Sequence, residues 1–64
     1  MPKPTELENK KAFGIQAVKY QLEYGEAGED IVRMITQYIA EGWMNFSQGM
    51  LMMKAIFEIG KTDD

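Results

Sequence analysis

Apolar residues in the last third of the chain, from Phe46 to Ile59, are spread over almost the whole circumference of a helix. At about 100° per residue, only Lys54 and Glu58 form a narrow polar strip. A helix that is apolar on nearly every side must be covered on nearly every side, and a short chain has room for only about two more helices. The pattern therefore predicts that part of this helix is covered by a partner, either a second copy or a different protein.

The N-terminal segment repeats apolar residues at helical spacing and predicts a helix over about residues 6–24. Thr5 is the predicted N-cap, and Glu8 stands three residues later, which is the form of a capping box. Gly25 follows the last apolar position and is predicted to end the helix, because glycine adopts the left-handed backbone without a Cβ penalty.

This first helix carries two apolar stripes on opposite faces, whereas a helix on the surface of a closed monomer needs one. One stripe contains Phe13, Ala17, Tyr20 and Tyr24. The other contains Leu7, Ile15, Val18 and Leu22. The pattern leaves two interpretations open: either the second stripe is an additional interface, or the helix is sandwiched inside its own fold.

The middle segment predicts a one-sided core helix over about residues 29–41, ending at Gly42. Its apolar residues cover an arc of about 160°, and Glu29 and Arg33 are spaced for a weak ion pair on the polar side. Residues 23–30, with two glycines and four carboxylates, are predicted to be a solvated connector between the first two helices.

The last helix is predicted over about residues 48–59. Ser47 is the first candidate for its N-cap, and Asn45 paired with Gln48 is the alternative, which moves the start by two residues. Gly60 is predicted to close the helix.

Length and composition change this picture by favouring association. A chain of 64 residues is one domain with a small core, so a monomer is marginally stable. Small folds compensate with disulfides, metals or oligomerisation, and this chain has no Cys and no His. Oligomerisation is the remaining way to stabilise so small a fold, and we expect a homodimer.

Charge and hydropathy favour a cytoplasmic protein that binds neither membranes nor nucleic acid. The net charge is −3, which gives no general attraction to phosphate or to anionic lipid. No segment approaches the roughly 20 apolar residues of a membrane span, and the N-terminus lacks the apolar region of a signal peptide. Residues 1–64 are read as one helical domain with short flexible ends at 1–4 and 61–64.

The chain offers little catalytic chemistry. Ser47 is its only serine and, without a His or a nearby Lys, is better explained as a cap than as a nucleophile. The acidic connector lacks the ligand alternation and central glycine of a calcium loop. The glycines match neither a P-loop nor a dinucleotide-binding pattern. We therefore expect no enzyme, no metal and no cofactor.

A helix, a short connector and a second helix between Asp30 and Ile59 also resemble the spacing of a helix-turn-helix. In that fold the second helix presents polar and basic side chains to DNA. Here it offers Gln48, Lys54 and Glu58 among apolar residues, so a DNA-binding regulator is the alternative and not the preferred interpretation.

Methionines give the strongest functional hint, because flexible, polarisable side chains suit surfaces that mould to a partner. Four lie between residues 44 and 53, and consecutive ones point about 100° apart, so we expect that they cannot all enter one monomeric core.

Trp43 is expected to fold back over the junction between the last two helices. The predicted partner or oligomer interface is Phe13, Tyr20, Tyr24, Trp43, Met50, Met52, Met53, Ile56 and Phe57.

Together these features predict an all-α domain of three helices, 6–24, 29–41 and 48–59, packed as a homodimer. The predicted function is that of a non-enzymatic interaction module. It would be a regulator or inhibitor, of the size class encoded by phages or mobile elements, that binds the surface of a partner protein.

Overall fold

The computed structural model describes residues 5–62, with side chains described for residues 5–59. These residues form two α-helices, α1 over Glu6–Ala40 and α2 over Phe46–Thr62, and no strand. The all-α prediction is confirmed. The prediction of three separate helices is wrong, because the segments predicted at 6–24 and 29–41 belong to one helical element.

A single residue, Gly25, departs from helical geometry inside α1. Its φ of 65° and ψ of −136° lie in a region that residues with a Cβ rarely adopt. The positive φ was anticipated, but the connector predicted over residues 23–30 was not formed, because the residues on both sides of Gly25 are helical. The change of direction is therefore concentrated at one glycine.

This kink folds α1 back on itself. A Cβ placed on Gly49 would lie 2.7 Å from Cδ1 of Ile39 and 3.1 Å from Cε2 of Phe13. In a straight helix, the rise of 1.5 Å per residue would hold Phe13 and Ile39 about 39 Å apart. Residues 6–24 and 26–40 are therefore two arms, called here the N-terminal arm and the C-terminal arm of α1, and α2 packs against both.

The start of α1 matches the sequence prediction. The backbone N–H of Glu8 donates to Oγ1 of Thr5 at 3.1 Å, and the backbone N–H of Thr5 donates to Oε1 of Glu8 at 2.8 Å. This reciprocal capping box satisfies two backbone donors and places two acidic residues in the first turn, where the helix dipole favours them.

The end of α1 is set by Gly42, as predicted. Gly42 has a φ of 87°, and its N–H donates to the carbonyl of Ile39 at 3.1 Å. The N–H of Trp43 donates to the carbonyl of Tyr38 at 2.9 Å. These two bonds form a Schellman motif, which satisfies carbonyls that the end of the helix would otherwise leave without partners.

Both ends of α2 differ from the preferred predictions. Asn45, and not Ser47, is the N-cap: Oδ1 of Asn45 accepts from the N–H of Gln48 at 2.8 Å, and Oε1 of Gln48 accepts from the N–H of Asn45 at 3.0 Å. The alternative start is thus correct, because this pair satisfies two donors at once. The helix also continues past Gly60 to Thr62, since a glycine ends a helix only where its backbone leaves helical geometry.

Residues 61 and 62, predicted to belong to a flexible end, lie within α2. The flexible ends predicted at residues 1–4 and 63–64 lie outside the described residues.

The core lies between the two arms and α2. Its centre holds Tyr20, Ile35 and Met53, one side chain from each of the three helical rods, with 1% or less of their surface exposed. The remaining buried apolar residues are Phe13, Ala17, Val32 and Phe57. The aromatic stripe of the N-terminal arm is therefore the inward one.

The acidic region beyond the kink packs closely against the N-terminal arm. Gly28 is buried, and a Cβ at this position would lie 2.7 Å from the backbone carbonyl oxygen of Tyr20. Glu29 and Asp30 form exposed ion pairs with Arg33 at 3.9 Å and 3.6 Å, of which the Glu29 pair was predicted.

In the described part of the chain, neither helix is long and apolar enough to cross a membrane.

Candidate protein-interaction surfaces

The outer face of the N-terminal arm carries a continuous row of exposed apolar side chains, called here the α1 stripe. Its members are Leu7, Ile15, Val18 and Leu22, and each has between 55% and 83% of its surface exposed. They lie opposite the buried aromatic stripe, because the two sets are offset by about half a turn. Burial thus decides between the two interpretations left open: the helix is not sandwiched within its own chain.

A shallow apolar groove of about 650 Å³ lies in the middle of the α1 stripe, lined by Lys11, Gly14, Ile15 and Val18. Apart from the adjoining backbone of its own helix, no heavy atom of the described residues lies within 4 Å of the position that a Cβ on Gly14 would occupy. The glycine therefore leaves open space on the surface and is not required by packing within the fold.

A second depression, of about 290 Å³, adjoins the first at the end of the arm. It shares Val18 with the groove and is completed by Gln21, Leu22, Gly25 and Glu29. The kink at Gly25 brings Glu29, which belongs to the C-terminal arm and pairs with Arg33, beside the end of the α1 stripe. An acidic side chain thus flanks one end of an apolar row that has Lys11 near its other end.

The outer face of α2 is a second exposed apolar surface. Leu51 and Ile59 have 67% and 68% of their surface exposed, and Ile56 has 36% of its surface exposed. Met53 and Phe57, on the opposite side of the same helix, are buried. The expectation that the chain cannot cover this helix by itself agrees with these exposures.

Trp43, in the connector between α1 and α2, is 76% exposed. Its indole N–H donates to Oε1 of Glu41 at 3.1 Å, so the ring is held at the surface. The expectation that it folds back over the helix junction is wrong. Met44 and Phe46, which follow it, pack against the core in its place.

The residues predicted for an interface fall into three groups. Phe13, Tyr20, Met53 and Phe57 are buried in the chain's own core. Tyr24, Met50 and Met52 are half-buried and pack against that core. Trp43 and Ile56 are exposed.

The methionines therefore play a different part from the one expected. Met53 is fully buried, and Met44, Met50 and Met52 all pack against the core from its edge. Four flexible side chains can reach one small core from different directions, because a long unbranched side chain bends to fill irregular gaps. The expectation that they could not all do so is wrong.

Sequence reasoning placed the α1 stripe on the helix but omitted it from the predicted interface. Lys11 was a signal that could have identified this stripe as the outer one. It falls in the middle of the row between Leu7 and Ile15, and lysine is almost never fully buried without a partner.

Several polar side chains of the described residues make contacts at helix ends or between helices. Ser47 is exposed in the first turn of α2 and does not provide the cap. The Tyr20 hydroxyl donates to Oε2 of Glu58 at 3.0 Å, joining α1 to α2 at the edge of the core. No three acidic side chains among residues 5–59 lie close enough together to hold a metal ion.

No protein-family model matches this chain, and no match was found among curated proteins or solved structures.

Proposed function

We propose that this protein is a non-enzymatic interaction module, a cytoplasmic regulator or inhibitor that self-associates and binds the surface of a partner protein. The observation that carries the proposal is the exposure of two apolar surfaces, the α1 stripe and the outer face of α2, on a chain of 64 residues. Contiguous apolar patches on small proteins commonly mark sites of association.

The energetic argument concerns what these side chains gain from burial. Complete burial of one fully exposed Leu, Ile or Val side chain contributes about 1.5 to 3 kcal/mol. Four side chains that are more than half exposed could therefore contribute on the order of 4 to 8 kcal/mol. Association costs roughly 4 to 15 kcal/mol in lost freedom, so the α1 stripe needs a partner that brings apolar surface of its own.

The two surfaces can act independently. The N-terminal arm and α2 contact each other through Tyr20 and Phe57, whose rings stack with centroids 4.3 Å apart. The α1 stripe and the Leu51 face lie on the sides of their helices that point away from this contact. One surface can therefore bind a second copy while the other binds a different protein.

DNA binding is the competing hypothesis, and the charge on α2 does not favour it. The exposed part of this helix presents the single cation Lys54, beside the exposed apolar side chain of Leu51, among residues 46–59. Phosphate contacts require clustered Lys and Arg, and their number sets how steeply affinity falls with salt. We expect no salt-sensitive binding to duplex DNA in a fluorescence anisotropy titration.

Site-specific photo-crosslinking in the host cell tests the proposal. A photoreactive amino acid replaces Leu51 on the outer face of α2, and the matched control carries it at Gln37, an exposed polar position on the C-terminal arm. We expect a discrete adduct with another protein from position 51 and none from position 37. Absence of any protein adduct from position 51, or equal labelling from both positions, would contradict the proposal.

A further inference from the structure

We infer that the α1 stripe binds the same stripe of a second copy of this chain, with the two N-terminal arms antiparallel. This inference rests on the self-association included in the proposed function and names its surface, its occupant and its orientation. Three features of the stripe support it: its symmetry along the helix, the open space at Gly14, and the charges on its flanks.

The stripe is symmetric when its direction is reversed. Leu7 and Leu22 stand at its two ends, and Gly14 and Ile15 are adjacent at its middle. In an antiparallel pair with Leu7 opposite Leu22 of the second copy, Gly14 comes opposite Ile15. Each leucine thus comes level with a leucine, and each isoleucine comes level with the one position without a side chain.

The groove at Gly14 fits this pairing. A large side chain entering from a second helix needs a small residue opposite it, and close helix approach is the common use of glycine in such a place. The space beside Gly14 is empty in the chain, and Ile15 is 69% exposed next to it. Because Gly14 and Ile15 point about 100° apart, the open space at Gly14 lets the two arms approach closely, while Ile15 of each copy packs beside Ile15 of the other across the twofold axis, a self-complementary contact as an isologous interface requires.

Charges on one flank favour the same orientation. Glu8 and Lys19 are 11 residues apart, so they lie within about 20° of each other on the helix and border the same side of the stripe. In the antiparallel pair, Glu8 of each copy comes within about one helical turn of Lys19 of the other. Opposite charges therefore meet twice, once at each end.

Lys11, within the stripe, and Glu29, beside its end, give a further complementary pair. Glu29 borders the depression beside Val18 and Leu22, and Lys11 lies near the opposite end of the stripe. Antiparallel pairing brings Lys11 of one copy level with Val18 of the other. Because Val18 and Glu29 line the same depression, Lys11 then also approaches Glu29 of the second copy. In a parallel pair, Lys11 would face Lys11 across the seam, which is unfavourable for like charges.

Equilibrium sedimentation tests the surface. We expect the wild-type chain to pass reversibly from monomer to dimer between about 10 µM and about 1 mM, because a seam of about four helical turns lies at the small end of specific interfaces. Val18→Glu should weaken the dimer at least about tenfold by placing a charge in the seam, and its helix content should stay unchanged because Val18 is 55% exposed. Leu51→Glu, a charge on the equally exposed outer face of α2, is the matched control and should leave the dimer intact.

Engineered disulfides test the orientation, since the chain has no native cysteine. Under air oxidation, a mixture of the Leu7→Cys and Leu22→Cys variants should give a disulfide between the two variants, because these positions face each other only in the antiparallel pair. A disulfide formed mainly by the Leu7→Cys variant with itself would overturn the inference, and so would the absence of any disulfide.

The outcomes separate this inference from the proposed function. A wild-type dimer that is weakened by Leu51→Glu and not by Val18→Glu overturns the α1 assignment and leaves self-association standing. A chain that stays monomeric at high micromolar concentration overturns the inference and the self-association, whereas the photo-crosslinking from position 51 tests partner binding independently.

Discussion

The rings of Tyr20 and Phe57 stack with centroids 4.3 Å apart and planes inclined by 12°, and they join the N-terminal arm to α2. The Tyr20 hydroxyl donates to Glu58, the residue after Phe57, and the Phe57 carbonyl accepts from the Tyr24 hydroxyl at 3.4 Å. Stacking and hydrogen bonding therefore act together on one turn of α2. They fix which face of that helix turns inward and which face remains exposed.

Tyr20→Ala should destabilise the fold strongly. Replacing a buried aromatic residue by alanine costs about 3 to 5 kcal/mol, which is comparable to the whole stability of a small domain. Tyr20→Phe keeps the stack and loses the hydroxyl, so it should cost about 1 kcal/mol. Urea unfolding followed by circular dichroism measures both, and equal losses for the two variants would show that the hydroxyl, and not the ring, dominates.

Gly28→Ala should destabilise the fold even though alanine favours helices. Its Cβ would lie 2.7 Å from the Tyr20 carbonyl oxygen, a backbone atom that cannot move without shifting the arm. Overpacking of this kind costs about 1 to 3 kcal/mol, which exceeds the gain of about 1 kcal/mol in helix propensity.

Gly14→Ala is the control for that variant. Nothing in the chain lies near its Cβ position, so alanine should raise the unfolding free energy of the monomer by about 0.5 to 1 kcal/mol. Thermal unfolding at low protein concentration compares the two variants. A Gly28→Ala variant that is as stable as Gly14→Ala would contradict the close contact between Gly28 and the Tyr20 carbonyl.

Asn45→Ala should lower the unfolding free energy by about 1 kcal/mol, because it removes the side chain that caps Gln48 at the start of α2. Ser47→Ala should change it by no more than about 0.5 kcal/mol, since the exposed Ser47 provides no cap. The reverse order of the two losses in a denaturant titration would restore Ser47 as the N-cap.

Met53 and Ile56 are neighbours on one helix with different surroundings. Met53 is fully buried, so Met53→Ala should cost about 2 to 5 kcal/mol through the cavity it leaves. Ile56 is 36% exposed, and Ile56→Ala should cost clearly less, on the order of 1 kcal/mol. Similar losses for both, measured below the concentration at which the chain associates, would mean that Ile56 is also a core residue.

Patterns that depend on local chemistry were predicted well from the sequence. Thr5 with Glu8, and Gly42 after the last apolar turn, act through hydrogen bonds to near neighbours, so the residues themselves specify the helix end. Helical periodicity likewise predicted an all-α fold, because apolar spacing reflects the faces that must be buried.

Features that depend on the packing of distant residues were predicted less well. Gly25 and Gly28 were both assigned to a loose connector, yet one makes the kink and the other allows the arm to pass the Tyr20 carbonyl. The inward stripe of the N-terminal arm was left undecided, because both stripes are apolar and only the position of Lys11 distinguishes them. The choice between Asn45 and Ser47 was decided by Gln48, which stands three residues after Asn45 and completes a reciprocal cap with it, whereas Ser47 has Met50 at that spacing.

The central claim is that this chain functions by association through its exposed apolar surfaces, with the α1 stripe as the seam between two copies. A dilution series followed by two-dimensional NMR tests it most directly, from about 1 mM down to about 10 µM, a range that spans weak specific affinities. The account predicts concentration-dependent amide shifts that cluster at residues 7–22 on the outer face of the N-terminal arm. Shifts that do not change with concentration at those residues, or that cluster instead on the C-terminal arm, would contradict it.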